Sequence, residues 1–353
     1  MARRHRWALT AAALVGVAGF AEAQAVITNG TIRMGINREG HLNFGSVPQI
    51  TGTNVVGLRL VTAAGDYEST ADGCECEGWG VGVRTGGSVG SNWGGANDAT
   101  GGVTRLSVVS FNSTASTATS VVNVTGLSSG YGIQVTHDYR PSATTPNLYE
   151  VRVTIRNTGT VAIPDLVYRR VMDWDISPTQ FNENVRISGW PASNLVGSGS
   201  NGFLSAQPLD ISGGCNSGGG AVCNGNFETT AGADRGSFFD FSFGALAVGA
   251  ERTFTTFYGA APTLDGLLGA LGAVGAEVYT AAWCAGTGGT GPRACNGKNG
   301  PAVFGYGFQG VGGAPPPELP PPPGVIPEPS TYALMATGLA GLAALRRRRE
   351  RSA

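Results

Sequence analysis

Charged residues are scarce in this chain. Asp, Glu, Lys and Arg make up 13% of its 353 residues, against about 25% in an ordinary globular protein. If residues 1–23 and the basic tail at 346–353 are set aside, 15 basic and 22 acidic residues remain, a net charge near −7. The central region therefore lacks the basic footprint of a nucleic-acid-binding protein, and we expect no nucleic-acid partner.

Histidine and catalytic motifs are scarce as well. Beyond residue 23, His41 and His137 are the two histidines of the sequence, and neither belongs to a G-x-S-x-G or H-E-x-x-H motif. The glycine-rich stretches lack the Lys-Ser/Thr of a phosphate-binding loop. We therefore expect both histidines on strand surfaces and expect that the protein is not an enzyme.

The first 23 residues have the pattern of a secretory signal peptide. A basic start with Arg3, Arg4 and Arg6 precedes an apolar run over 8–20, and Ala21-Glu22-Ala23 supplies an A-x-A cleavage site. Cleavage after Ala23 is expected, with cleavage after Ala25 as the alternative. The Arg3-Arg4 pair keeps twin-arginine export open beside general secretion. Either route delivers the chain to a compartment where disulfides form.

Six cysteines follow the signal peptide, and we interpret them as disulfide partners rather than zinc ligands, because no histidine lies near them in sequence. Six cysteines allow fifteen pairings, so the sequence does not determine connectivity. Short Gly/Asn-rich loops favour pairing Cys215 with Cys223 and Cys284 with Cys295. By elimination Cys74 would then pair with Cys76 in a tight C-x-C ring. In chain order the cysteines are Cys74, Cys76, Cys215, Cys223, Cys284 and Cys295.

The middle of the chain predicts an all-β protein. Over 148–157, Val and Ile alternate with Arg and Thr, the period of a strand with one face toward solvent. Similar runs recur between 103 and 176, at 237–258, at 277–283 and at 303–308, separated by Gly, Ser and Thr turns. We expect an antiparallel β-sandwich-like fold with Gly/Ser-rich loops and one short helix over 263–273, where leucines recur at helical spacing. Two glycine-rich stretches, 73–102 and 189–236, are predicted to be largely loops.

One predicted strand, over 166–176, carries an acidic pair. Asp173 and Asp175 share one face of it, and Glu183 follows after a Ser-Pro turn. These carboxylates are weak candidates for Ca²⁺ ligands, since calcium prefers oxygen donors. Solvated surface residues, or partners of a neighbouring Arg, are the simpler interpretation. No other cofactor is expected, although the same three residues would also be the first candidates for the acid–base pair of a glycosidase.

Tryptophans keep a carbohydrate-binding hypothesis open. Exposed rings at Trp79, Trp93 or Trp190 would stack on sugars, whereas a buried ring would belong to the core. Extracellular polysaccharide is therefore an alternative partner.

The C-terminus has the composition of a sorting signal. A proline-rich spacer over 314–326 precedes Pro327, Glu328 and Pro329, an apolar run of 14 residues over 332–345, and Arg346, Arg347, Arg348 and Arg349. As a helix the apolar run would measure roughly 21 Å, shorter than a hydrocarbon core of about 30 Å. The arginines place its end on the cytoplasmic side, so a transient membrane anchor is expected.

This tail resembles the PEP-CTERM sorting domain of Gram-negative bacteria, with Pro327, Glu328 and Pro329 matching its signature. The resemblance implies export, recognition at these residues by an exosortase, and a role in exopolysaccharide and biofilm formation. The predicted organisation is a signal peptide (1–23), a β-rich extracellular domain (24–313), a proline-rich spacer (314–326) and a sorting signal with a hydrophobic helix (327–353). We expect a structural or adhesive protein of the cell surface or extracellular matrix.

Overall fold

Strands dominate the part of the chain that the computed structural model describes. That part comprises residues 24–44, 55–70, 73–86, 90–97, 102–128, 130–210, 223–286, 288–289, 291 and 294–315, all within one compact unit, Met1–Pro316. The predicted signal peptide, most of the proline spacer and the whole sorting tail lie outside the described residues.

The described residues contain nineteen strands and one α-helix. In chain order they are β1 (Gln24–Thr28), β2 (Ile32–Asn37), β3 (Leu58–Thr62), β4 (Gly65–Glu68), β5 (Glu77–Val83), β6 (Trp93–Asn97), β7 (Gly102–Thr104), β8 (Leu106–Ser113), β9 (Ala118–Val124), β10 (Ile133–Pro141), β11 (Leu148–Asn157), β12 (Leu166–Trp174), β13 (Glu183–Ser188), β14 (Leu195–Gly199), β15 (Phe227–Glu228), β16 (Arg235–Ser242), β17 (Glu251–Ala261), α1 (Leu264–Ala273), β18 (Val278–Cys284) and β19 (Val303–Gln309).

These strands form three antiparallel sheets. Sheet A has the order β1-β2-β3-β4. Sheet B has nine strands in the order β15-β13-β18-β19-β17-β11-β10-β9-β8, and sheet C has six in the order β14-β16-β12-β5-β6-β7. The predicted all-β antiparallel class is confirmed.

Sheets B and C pack face to face through aromatic side chains. Tyr168 on β12 meets Phe254 on β17 with 5.0 Å between ring centroids. Phe239 on β16 meets Phe308 on β19 at 5.5 Å. Edge-to-face pairs of this kind add about 0.5–1.5 kcal/mol each beyond the apolar area that they bury. The sandwich predicted from strand alternation is therefore held by a continuous aromatic core.

The predicted helix is confirmed as α1, which packs on the opposite face of sheet B. Its buried residues are Leu264, Leu267, Ala270 and Leu271, the i, i+3, i+4 spacing of a helix with one apolar side. Thr263 caps its N-terminus by accepting a hydrogen bond from the Gly266 N–H at 3.2 Å. Across the described residues, no helix is long and apolar enough to cross a membrane.

The prediction of a loop over the first glycine-rich stretch is wrong. Residues 77–83 form β5, a strand in the interior of sheet C whose seven residues are all buried. Its glycines let another segment lie directly on the strand, because a Cβ added at Gly80 would be 1.7 Å from the Ala206 carbonyl oxygen. The sequence carried a signal for this strand, since Trp79, Val81 and Val83 alternate with glycine.

Other local predictions differ in the same way. The second glycine-rich stretch contains β14, β15 and the start of β16 rather than loop alone. By contrast, residues 41–44 contain no strand, although the alternation of apolar and polar side chains in His41-Leu42-Asn43-Phe44 is typical of one. Both differences arise because pairing with remote strands decides which short segments are extended.

Candidate functional site

The acidic pair on β12 does not face solvent. Asp173 and Asp175 are 1% and 0% exposed, so the interpretation of these residues as solvated strand residues is wrong. Residues 200–210 cover the face of sheet C that carries Asp173, and Gly73 lies against the Asp175 carboxylate. A Cβ added at Gly202 would be 2.4 Å from Asp173 Oδ1, and Arg169 on the same face donates to the Asp210 carbonyl at 2.8 Å. Sequence alternation could not reveal this covering segment.

The structure brings the three candidate carboxylates to one end of the sandwich. Asp173 lies on β12 in sheet C, and Asp175 follows that strand directly. Glu183, which is fully buried, opens β13 in sheet B. Glu183 Oε1 accepts a hydrogen bond from the Ile176 N–H at 3.1 Å, which fixes the Glu183 side chain against the end of β12.

A disulfide borders the same cluster. Cys74 is bonded to Cys76, with their Cα atoms 5.1 Å apart. Cys74 Sγ lies 3.4 Å from Asp173 Oδ2, and the ligand atoms of Cys74, Asp173 and Asp175 all lie within 4.8 Å of one another. The Asp173 N–H donates to the Cys76 carbonyl at 2.7 Å, so the C-x-C loop is fastened to β12.

Burial and mutual repulsion disfavour the charged forms of these carboxylates. Within the described residues, no Arg or Lys forms an ion pair with Asp173 or Glu183. Burial, and then the charges of Asp175 and Asp234, raise the pKa of Asp173 well above its ordinary value. Burial also raises the pKa of Glu183 to about 9, with further contributions from Asp175 and Asp173. Asp173 Oδ1 and Glu183 Oε2 have no hydrogen-bond partner.

The remaining described cysteines agree with the prediction that cysteines close in sequence pair with each other. Cys284 and Cys295 form a disulfide with 6.0 Å between Cα atoms. Cys223 is disulfide-bonded, and its expected partner Cys215 lies outside the described residues.

A second polar group, which the sequence did not predict, lies between sheets B and C. Arg170 Nη2 approaches Glu77 Oε1 at 2.5 Å, with both side chains buried. Glu77 also accepts from the Tyr258 hydroxyl at 3.1 Å and from the Leu42 N–H at 2.6 Å. Burial opposes the charged form of Arg170, but the Glu77 carboxylate and the surrounding tyrosines leave its pKa raised.

Both histidines are buried beside this group, so the prediction of surface histidines is wrong. His41 is 3% exposed and His137 is fully buried. The His137 ring lies 4.6 Å from the Trp79 ring, and its Nε2 is 3.4 Å from the Tyr168 hydroxyl. Burial, then the charges of Arg170 and His41, hold the pKa of His137 well below its ordinary value. The core therefore contains a neutral imidazole.

The tryptophans divide into core and half-buried residues. Trp79 is fully buried and donates its indole N–H to the Glu39 carbonyl at 2.9 Å, so it belongs to the core and is not available to stack on a sugar. Trp93 and Trp190 are half-buried. In the described part of the chain these two are the tryptophans that retain solvent-accessible surface, because Trp174 and Trp283 are also buried.

The sorting residues Pro327, Glu328 and Pro329 and the four arginines at 346–349 lie outside the described residues. Comparison with family models matches the PEP-CTERM protein-sorting motif to residues 325–349, which confirms the expected tail. No curated protein matches the chain, so the β-rich region is not assigned to a family. The motif implies that the protein is exported, processed by an exosortase and associated with the cell surface.

Proposed function

We propose that this chain is a structural or adhesive protein of the cell surface or extracellular matrix of a Gram-negative bacterium. It acts in biofilm or exopolysaccharide rather than as an enzyme, and an exosortase cleaves it at Pro327–Pro329. The observation that carries the proposal is the sorting motif at 325–349. The short apolar run over 332–345 and the arginines that follow it support a membrane anchor that lasts only until cleavage.

The described residues support a non-enzymatic role. Asp173, Asp175 and Glu183, the first candidates for an acid–base pair, are buried, as are both histidines. A catalytic acid or base must come within about 3 Å of the proton that it transfers, and a sugar ring does not reach these groups in this structure. The disulfides Cys74–Cys76 and Cys284–Cys295 suit a protein that persists outside the cell.

Mass spectrometry of the C-terminus tests the sorting proposal. The chain is isolated from host cells with and without the exosortase gene, and loss of the segment 330–353 is expected only with the enzyme. The variant Pro327→Ala/Pro329→Ala should keep its tail, whereas the spacer variant Pro320→Ala/Pro322→Ala should lose it as the native chain does. An intact Arg346–Ala353 tail in both hosts would refute the proposal.

Binding of the host's polysaccharide is a second candidate, favoured by the half-buried Trp93 and Trp190. A stacked sugar would use the exposed part of an indole ring, worth on the order of 1 kcal/mol. Affinity for purified matrix polysaccharide should therefore fall about 5-fold or more in Trp93→Ala or Trp190→Ala. If neither change weakens binding to the polysaccharide, Trp93 and Trp190 do not bind sugar.

A further inference from the structure

We propose that Asp173, Asp175 and Glu183 bind one Ca²⁺ ion that joins sheets B and C at one end of the sandwich. This inference does not depend on the sorting tail, because all three carboxylates lie in the described β-rich unit.

The geometry of the cluster suits a single calcium ion. Calcium takes oxygen ligands at about 2.3–2.6 Å, so donor atoms on opposite sides of one ion are separated by about 5 Å. The donor atoms of Asp173 and Asp175 lie within 4.8 Å of each other. Asp173 and Asp175 can therefore share one ion, and the Glu183 carboxylate, which is not part of that group, would complete the site by moving toward them. Mg²⁺ demands regular octahedral geometry at about 2.0–2.1 Å and gives up its water reluctantly, so an irregular set of carboxylates favours Ca²⁺.

The second observation that indicates a ligand is a buried carboxylate oxygen without a partner. Glu183 is fully buried, and its Oε1 is held by the Ile176 N–H, which leaves Oε2 without a hydrogen-bond partner. Asp173 Oδ1 is in the same situation. A buried polar atom left unpaired costs about 1–3 kcal/mol, and more when the group is charged. A cation between these carboxylates would satisfy both oxygens and offset their mutual repulsion.

The nature of the donors excludes a thiolate-based site. The sulfur nearest to the cluster, Cys74 Sγ, is committed to the bond with Cys76, so it offers no thiolate to a softer metal such as zinc. The three carboxylates together supply up to six oxygens, within the six to eight that calcium takes. Asp234, an exposed acidic residue, acts on Asp173 through its charge and adds to the repulsion that a cation would offset.

Calcium at this position would connect two different sheets. Asp173 belongs to sheet C and Glu183 to sheet B, and the C-x-C loop is hydrogen-bonded to β12 beside them. An ion that binds only the folded arrangement stabilises it in proportion to its concentration. The site would therefore lock this end of the sandwich after export.

Terbium luminescence and thermal unfolding test the proposal on the full exported chain after treatment with a chelator. Tb³⁺ should show emission sensitised by tryptophan, because Trp174 lies between the two Asp residues in sequence, and Ca²⁺ should displace it. Ca²⁺ at about 100 times its dissociation constant should shift the folding equilibrium about 100-fold and raise the Tm by about 5 °C. Mg²⁺ at the same concentration should raise it much less.

Carboxamide variants identify the ligands. Glu183→Gln and Asp173→Asn should lose the Ca²⁺-dependent rise in Tm and the Tb³⁺ signal. The matched control Glu68→Gln changes a buried glutamate that is paired with Arg59, and it should lower the Tm equally with and without Ca²⁺. The proposal is overturned if native protein shows neither signal, if Mg²⁺ matches Ca²⁺, or if Glu183→Gln keeps the full rise. The native-protein measurements decide the matter even if a variant does not fold.

Discussion

Replacing Arg170 with Met should destabilise the sandwich more than any surface change, because Arg170 is the counter-charge of a fully buried carboxylate. Arg170 Nη2 lies 2.5 Å from Glu77 Oε1, and the two side chains are 1% and 0% exposed. Its guanidinium also lies 5.1 Å from the centroid of the Tyr258 ring. Removing one partner of a buried ion pair costs about 3–5 kcal/mol, because the other charge is left uncompensated.

The hydrogen bonds around the pair set the loss of stability expected for each variant. In Arg170→Met, Glu77 keeps two donors, the Leu42 N–H and the Tyr258 hydroxyl, so the expected loss is near 3 kcal/mol rather than 5. In Glu77→Gln, the amide oxygen continues to accept from Leu42, but Arg170 loses its counter-charge, and a similar loss is expected. The double variant contains no uncompensated charge and should lose much less than the sum, a coupling energy of about 3 kcal/mol.

Urea unfolding at pH 7, followed by tryptophan fluorescence, measures these four proteins under conditions in which each remains folded. Arg156→Met is the matched control, because Arg156 pairs with Glu251 at 4.0 Å with both side chains about half exposed, and such pairs contribute about 0–1 kcal/mol. Two results would contradict this reasoning: losses that simply add in the double variant, or a loss below about 1 kcal/mol in Arg170→Met. Either would show that Arg170 and Glu77 do not compensate each other's charge.

Two further predictions concern the same core. His137 has a pKa lowered by burial, so the unfolded chain takes up a proton below pH 6.5 that the folded chain does not. The free energy of unfolding should therefore fall by about 1.2 kcal/mol between pH 7 and pH 5.5, relative to that of His137→Gln. Urea unfolding that gives the two proteins the same pH dependence would contradict this. Gly80→Ala should cost about 1–3 kcal/mol, since the added methyl group meets the Ala206 carbonyl. The control Gly272→Ala, in α1 with open space around it, should instead stabilise the protein by about 0.5–1 kcal/mol, and thermal unfolding that shows the same sign for both would contradict the assigned packing.

The sequence identified the residues of the candidate site but did not show that they are buried. The spacing of Asp173 and Asp175 correctly placed the two carboxylates close together, although the strand ends at Trp174, before Asp175. Their burial could not be predicted, because it depends on contacts with residues remote in the chain: Gly202 lies against Asp173, and Gly73 lies against Asp175. A buried carboxyl cluster therefore stands where the sequence predicts solvated side chains.

The sequence by itself determined the all-β class, the strand at 148–157, helix α1 and the sorting tail, because each is encoded by local periodicity or by a contiguous motif. Tertiary structure alone decided that the glycine-rich segment 77–83 is an interior strand and that Arg170 meets Glu77. Both outcomes depend on contacts between residues more than 80 positions apart in the chain. Local alternation shows which side chains share a face of a strand, whereas the segments that fold against that face decide whether it is buried.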